Sequence, residues 1–236
     1  MDFITSAETM RQVNAHKGEW RNYLLGAVTR AQWTLPGGAC GGLYGAAGSD
    51  LPRGAALSSS HALCLAALQG TLRMHGDDLD PAQLILAVRD AEWYTGARTG
   101  VSDQGAMILG RRGMMVNAAL FAEDLDLCGM RRVPFPDMLQ VLVFNSYTRR
   151  SLSGAQLAAY TGNRFAYSMA LAILRQELRA MDIPPATAAG IDRLARIAVD
   201  VLGGMRGIAQ LLRRIPVCLT PKELRERYPM DDFDAV

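Results

Sequence analysis

The chain has 236 residues, half of them hydrophobic and a fifth charged, with 25 basic and 23 acidic side chains for a formal net charge of +2. That length buries a sizeable core as one domain or two, and the composition excludes extended disorder. The near-balanced charge gives no reason to expect a nucleic acid or an anionic membrane as partner, and Cys40, Cys64, Cys128 and Cys218 form no metal-ligand spacing with His16, His61 and His75.

The opening "MDFITSAETMRQ" has neither the basic start nor the apolar run of a secretory signal, and no apolar run reaches membrane-spanning length. The cytoplasm is the expected compartment. Residues 1–31 read as helix, with Trp20, Leu24 and Val28 at helical spacing. The glycines that follow (Gly37, Gly38, Gly41, Gly42, Gly45 and Gly48) suit a strand with tight turns or a loop; a strand is expected near 40–47, ending at Asp50-Leu51-Pro52. Ser59 to Met74 is apolar at helical period, and the next helix starts with Asp80 as N-cap and Pro81 in its first position. "GMMVNAALF" and "LQVLVFNS" read as strands, the second apolar enough to be buried on both faces. Beyond Ser151 the pattern is helical, with long helices over Ala155 to Met181 and Ala188 to Arg214 separated by the prolines of "DIPPAT". The chain thus divides into a mixed half, 1–146, and a helical half, 147–236.

Two segments invite a chemical reading. Pro52-x-Gly54-x-x-Leu57-Ser58-Ser59-Ser60 is a glycine-containing turn that opens onto a helix. The unpaired N–H groups and the positive dipole end of such a helix suit a phosphate, and serine hydroxyls there can bond phosphate oxygens or ligate Mg²⁺. The loop is not of Walker type, because no lysine follows the glycine. A serine that only caps a buried helix is the alternative. In "EWYTGARTGVSDQGAMILG", Asp103 falls in a turn-rich segment where a carboxylate can accept a hydroxyl proton during phosphoryl transfer, or simply cap the next turn.

Together the two segments resemble the GHMP kinase family, most closely its galactokinase-type sugar kinases. "LPRGAALSSSHAL" is similar to the family's P-x-G-x-G-L-S-S-S-A loop and "GVSDQGAMILGRRG" to its G-[IV]-M-D-Q segment. "WRNYLLGAV" resembles the W-x-N-Y-x-x-G helix ahead of the loop, and "VLVFNSYTRRSL" the V-[IV]-x-N-S-x-x-[RK] strand end. The resemblance implies an α+β GHMP kinase-like fold: a ribosomal protein S5 domain 2-like N-terminal half, and a helical or ferredoxin-like C-terminal half, 147–236, that is partial. It also implies transfer of the γ-phosphoryl group of ATP to a monosaccharide hydroxyl, of galactose or a related hexose or uronic acid, with the anomeric position favoured. Pro52, Gly54, Leu57, Ser58, Ser59 and Ser60 would bind the nucleotide, Ser60 would ligate Mg²⁺, and Asp103 would be the catalytic carboxylate facing the sugar, with Gly100 beside it.

The departures from the family pattern bear on the same site. Ala55-Ala56 stands where the family has a small residue and a glycine, and Cys64 where galactokinases carry a metal-binding glutamate. Glu92, eleven residues ahead of Asp103, is the substitute metal ligand implied by the mevalonate-type branch, or else a surface glutamate at a helix end. Leu157 replaces a sugar-contacting tyrosine, for which Tyr160 is close enough to stand in. The family's first and third motifs have no counterpart, so the chain is expected to be truncated at both ends. A silent nucleotide or sugar sensor and an inactive fragment are the competing readings, and the oligomeric state is left open. His61 is read as a structural donor or a phosphate contact, the methionines as core, and Trp33 and Tyr44 as strand packing or an adenine pocket.

Overall fold

The structure, a computed structural model, describes residues 3, 6–16, 19–38, 41, 43–52, 54–96, 99–121, 125–144, 147, 154–181 and 183–229, with the backbone alone for 154–161, 164 and 165. The chain forms two compact units, Met1–Leu157 and Ala158–Val236.

The first unit is built on helices. α1 (Ala7–Ala15) starts at Ser6, whose hydroxyl accepts the Thr9 N–H, and α2 (Arg21–Thr34) follows. The expected single helix over 1–31 is therefore two, and the buried Asn22 side chain on α2 donates to the His16 carbonyl at the end of α1. α2 also buries a different face from the one its large residues suggest. Trp20 is exposed, and the buried positions are Asn22, Gly26, Ala27 and Ala31. Small residues are needed because α2 lies almost against α4 (Pro81–Trp93): a Cβ added to Gly26 would come within 2.2 Å of the Ala91 carbonyl oxygen and 2.6 Å of Tyr94 Cβ.

α3 (Ser59–Met74) and α4 complete the three-helix core with α2, joining Cys64, Leu68 and Leu72 to Leu84, Ala87, Val88 and Ala91. Each fully buried Leu or Val here contributes on the order of 1.5–3 kcal/mol. α4 begins as expected, with the Asp80 carboxylate accepting the Gln83 N–H and Pro81 in the first turn. A short helix, α5 (Ser102–Leu109), then leads to an antiparallel pair, β1 (Met114–Asn117) and β2 (Arg131–Pro134), in register from Met114–Pro134 to Asn117–Arg131.

Among the described residues two expected strands are missing. Residues 43–50 have no regular structure and are mostly exposed, and Cys40 and Gly42 lie outside the described residues. Strand packing for Trp33 and Tyr44 fails with them: Trp33 sits on α2 against Phe3, and Tyr44 is exposed. Leu139, Val141, Leu142, Val143 and Phe144 form no strand either and stay exposed, while Asn145 and Ser146 lie outside the described residues. An apolar run marks a strand only where a neighbouring edge supplies hydrogen bonds.

The second unit holds the continuation of α6 (Gly154–Arg179), which runs as the helical period predicts. The expected helix over Ala188–Arg214 is broken instead into α7 (Pro185–Ala189), a 3₁₀ turn at Leu194–Arg196 and α8 (Met205–Arg214). Gly203 and Gly204, at φ 70° and 101°, form the break, since that backbone region costs glycine least. α9 (Pro221–Arg227) opens with a capping box between Thr220 and Glu223. Leu178, Ile191, Leu202 and Leu211 form this unit's core.

Candidate functional site

The loop leading into α3 takes left-handed backbone at three positions. Gly54 lies at φ +71°, and Ala56 and Ser58 both at φ 56°, the left-handed region. Alanine and serine there carry a cost of roughly 1–2 kcal/mol relative to right-handed backbone. Ala56 is the position at which the family pattern has its second glycine, so the loop keeps the glycine geometry without the glycine. Ser58 occupies the cap position of α3 but makes no side-chain cap bond. Simple helix capping by that serine is thereby corrected, and the first N–H groups of α3 keep their need for an acceptor. Pro52, Gly54 and Leu57 are exposed and Ser58, Ser59 and Ser60 partly buried.

Ser60 points inward. Its hydroxyl donates to Glu92 Oε1 at 2.7 Å, joining the start of α3 to the end of α4. Glu92 is fully buried, so its reading as a surface glutamate is corrected. Its Oε2 accepts the Thr99 hydroxyl at 2.7 Å and meets His61 Nε2. The other ring nitrogen, His61 Nδ1, lies 3.5 Å from Asp103 Oδ2 and 3.4 Å from Ser60 Oγ. Ser60, Glu92 and Asp103, from three different helices, are thus gathered around one imidazole.

Asp103 sits on the first turn of α5, a helix where the sequence suggests a turn-rich segment; the Gly105 N–H to Val101 carbonyl bond closes that turn. A carboxylate suits the dipole there, and its side chain remains 45% exposed, open to a reaction partner. Gly100 is partly buried in the segment that joins α4 to α5. Tyr160 is on α6, and its side chain lies outside the described residues.

The surroundings of Glu92 register its charge. Burial, then Glu92 and Cys64, push the Tyr23 phenol up to about 12. Burial first and Glu92 second hold the Cys64 thiol well above its ordinary range, and Cys64 donates to the Tyr23 carbonyl from within the core. Cys64 is therefore a packing residue. Its position on α3 carries no carboxylate, and Glu92 brings one from α4 to the start of α3.

Ser60 and Glu92 offer a hard cation two oxygen donors in contact, the donor type magnesium prefers. Among the described residues, no group of three or more His, Cys, Asp and Glu is arranged to hold a metal ion. A cation on these two donors would have to displace a bond that Glu92 makes to Ser60, Thr99 or His61, and would keep most of its ligands as water and phosphate oxygens.

Sequence reasoning passed over several members of the site. His61 was legible only as a helix-start histidine, and Thr99 had no periodic signal. Tyr23, Asn22 and Gly26 stood in view within the tryptophan–asparagine–tyrosine stretch. Gln104, next to Asp103, is fully buried with no hydrogen-bond partner for its amide among the described residues.

Residues 22–111 match the family model of the GHMP kinases N terminal domain, a span that includes the loop, Glu92 and Asp103. Over residues 22–111 the chain is similar to the GHMP kinase family. Galactokinases are among the proteins it is similar to. It is 30% identical over 145 residues to a galactokinase of Pyrococcus furiosus, covering 60% of this chain and 39% of that protein. It is 33% identical over 158 residues to a galactokinase of Thermococcus kodakarensis, covering 66% and 42%. The chain therefore spans about two-fifths of the length of these relatives. No solved structure matches the chain. Among the described residues no helix is long and apolar enough to cross a membrane.

Proposed function

We propose that this chain carries the nucleotide and catalytic half of an ATP-dependent sugar kinase. Residues 1–146 would form the phosphate-loop domain and 147–236 a partial C-terminal domain. The observation that supports this most is the 2.7 Å bond between Ser60 and Glu92, 32 positions apart, at a helix start whose cap residue, Ser58, makes no side-chain cap bond. A phosphate needs such N–H groups, and magnesium such oxygens.

In this reading the free N–H groups of α3 and the hydroxyls of Ser58 and Ser59 hold the phosphates of ATP, and Pro52, Gly54 and Leu57 shape the loop. Ser60 and Glu92 hold Mg²⁺, which when bound neutralises charge on the phosphate oxygens. Asp103 accepts the proton of the sugar hydroxyl as its oxygen bonds to the γ-phosphorus and the bond from that phosphorus to the bridging oxygen breaks, releasing ADP. Gly100 lets the sugar approach Asp103; the family resemblance makes Tyr160 a candidate sugar contact, and its side chain lies outside the described residues. The acceptor is galactose or a related hexose or uronic acid at its anomeric hydroxyl, the class suggested by relatives named galactokinase.

One observation favours a second reading, a silent nucleotide binder. Glu92 is fully buried, and both its oxygens are taken by Ser60, Thr99 and His61. The two readings separate in one experiment: ADP release from Mg-ATP in the presence of a hexose panel, for the chain and for Asp103→Asn. The kinase reading expects sugar-dependent release that the substitution abolishes while ATP still binds. Release that survives the substitution contradicts the role of Asp103, and ATP binding without release under any sugar supports the silent binder.

A further inference from the structure

His61 stands at the centre of the site without a part in the chemistry above. Its ring is 6% exposed; Nε2 meets Glu92, and Nδ1 lies 3.5 Å from Asp103 Oδ2 and 3.4 Å from the Ser60 hydroxyl. The family's loop pattern has alanine at this position, so the imidazole is an addition to that pattern.

Asp103 needs such a contact. Its carboxylate is 45% exposed on the first turn of α5, and a short side chain at a helix surface samples several rotamers. The His61 ring is anchored on its far side by Glu92, itself fixed by the Ser60 and Thr99 hydroxyls. A contact from a fixed ring selects the Asp103 rotamer that faces the Ser60 end of α3. Position matters here because phosphoryl transfer draws most of its acceleration from placement and charge stabilisation.

We propose that His61 is a positioning residue, which holds Asp103 in register with the Ser60–Glu92 pair. The inference rests on the kinase reading for its effect on turnover, and on geometry alone for the link between His61 and Asp103.

The test uses the full chain with three substitutions and one spectrum. Asparagine places its amide near the site of Nδ1 and glutamine near that of Nε2, so His61→Asn retains the link to Asp103 and His61→Gln the link to Glu92. Against D-galactose or another hexose that releases ADP, His61→Ala is expected to lower kcat about 10- to 100-fold, the scale of a small misplacement of a reacting group. The calorimetric Kd for Mg-ATP should agree within about twofold between His61→Ala and His61→Asn, since neither keeps the ring's contact with Glu92. His61→Asn should recover most of kcat and His61→Gln should not. In the ligand-free chain, Asp103→Asn should move the ¹⁵N resonances of the His61 ring. Equal turnover in His61→Ala, or equal recovery by Asn and Gln, overturns the proposal. A wild-type chain without ATP binding or ADP release defeats the kinase reading instead; the spectrum then decides alone, and ring resonances unmoved by Asp103→Asn overturn the link.

Discussion

Two glutamates, one in each unit, are held in contrasting ways. Glu92 is fully buried at the end of α4, and its partners are the hydroxyls of Ser60 and Thr99 and the His61 ring. Glu177 on α6 is 14% exposed and takes the Arg214 guanidinium at 3.0 Å and the Tyr228 hydroxyl at 2.8 Å. A carboxylate matched by a guanidinium fixes structure, here α6 to α8 and to the end of α9. A buried carboxylate held by hydroxyls and an imidazole has no guanidinium to match its charge, and in the proposed function a cation would supply that match. Burial alone would have ranked both as structural; the partners separate them.

Substitutions sharpen that contrast. The largest effect is expected at the site: Asp103→Asn should lower turnover by about 10²- to 10⁴-fold, while Glu177→Gln should leave turnover within about twofold, both read by ADP release. The largest stability effect belongs to the helix crossing beneath Glu92. Gly26→Ala forces α2 away from Ala91 and Tyr94 and should cost about 3 kcal/mol by denaturant unfolding. Glu177→Gln should cost about 1 kcal/mol in the same measurement, because a neutral amide weakens both its bonds. A cost at Gly26 no larger than that at Glu177 would contradict the close-crossing argument.

Ala56→Gly should raise stability by about 0.5 kcal/mol, the left-handed strain relieved outweighing the added freedom of the unfolded chain. A drop in stability would show that the loop does not hold its left-handed turn. The effect of Tyr23 is confined to alkaline pH. Its phenol is raised from 10 to about 12 in the folded chain, so between those values the folded state keeps a proton that the unfolded state releases. Its stabilising contribution is full below pH 10 and is lost as pH rises through about 12. In Tyr23→Phe that part of the alkaline loss should vanish from unfolding curves recorded between pH 9 and 12.

How much of this was legible depended on the interaction responsible. The Asp80–Pro81 start of α4 and the period of α3 could be read because caps and amphipathic spacing are local. The loop and Asp103 were visible through motif spacing, and Glu92 through its offset from Asp103. The buried face of α2 was hidden because its signal is the absence of bulk at Gly26, Ala27 and Ala31. Residues 139–144 misled for the opposite reason, since high apolar content says nothing about whether a partner strand is present. His61 was hidden because its meaning comes from Glu92 and Asp103, 31 and 42 positions away in sequence.

The most direct test is a calorimetric titration of the folded chain with ATP, with and without Mg²⁺, repeated on Ser60→Ala. The account predicts binding that depends on magnesium and weakens at least about tenfold when the Ser60 hydroxyl is removed. ATP binding that is absent, or equally tight without magnesium and in the variant, would contradict a phosphate and metal site built on Ser60 and Glu92.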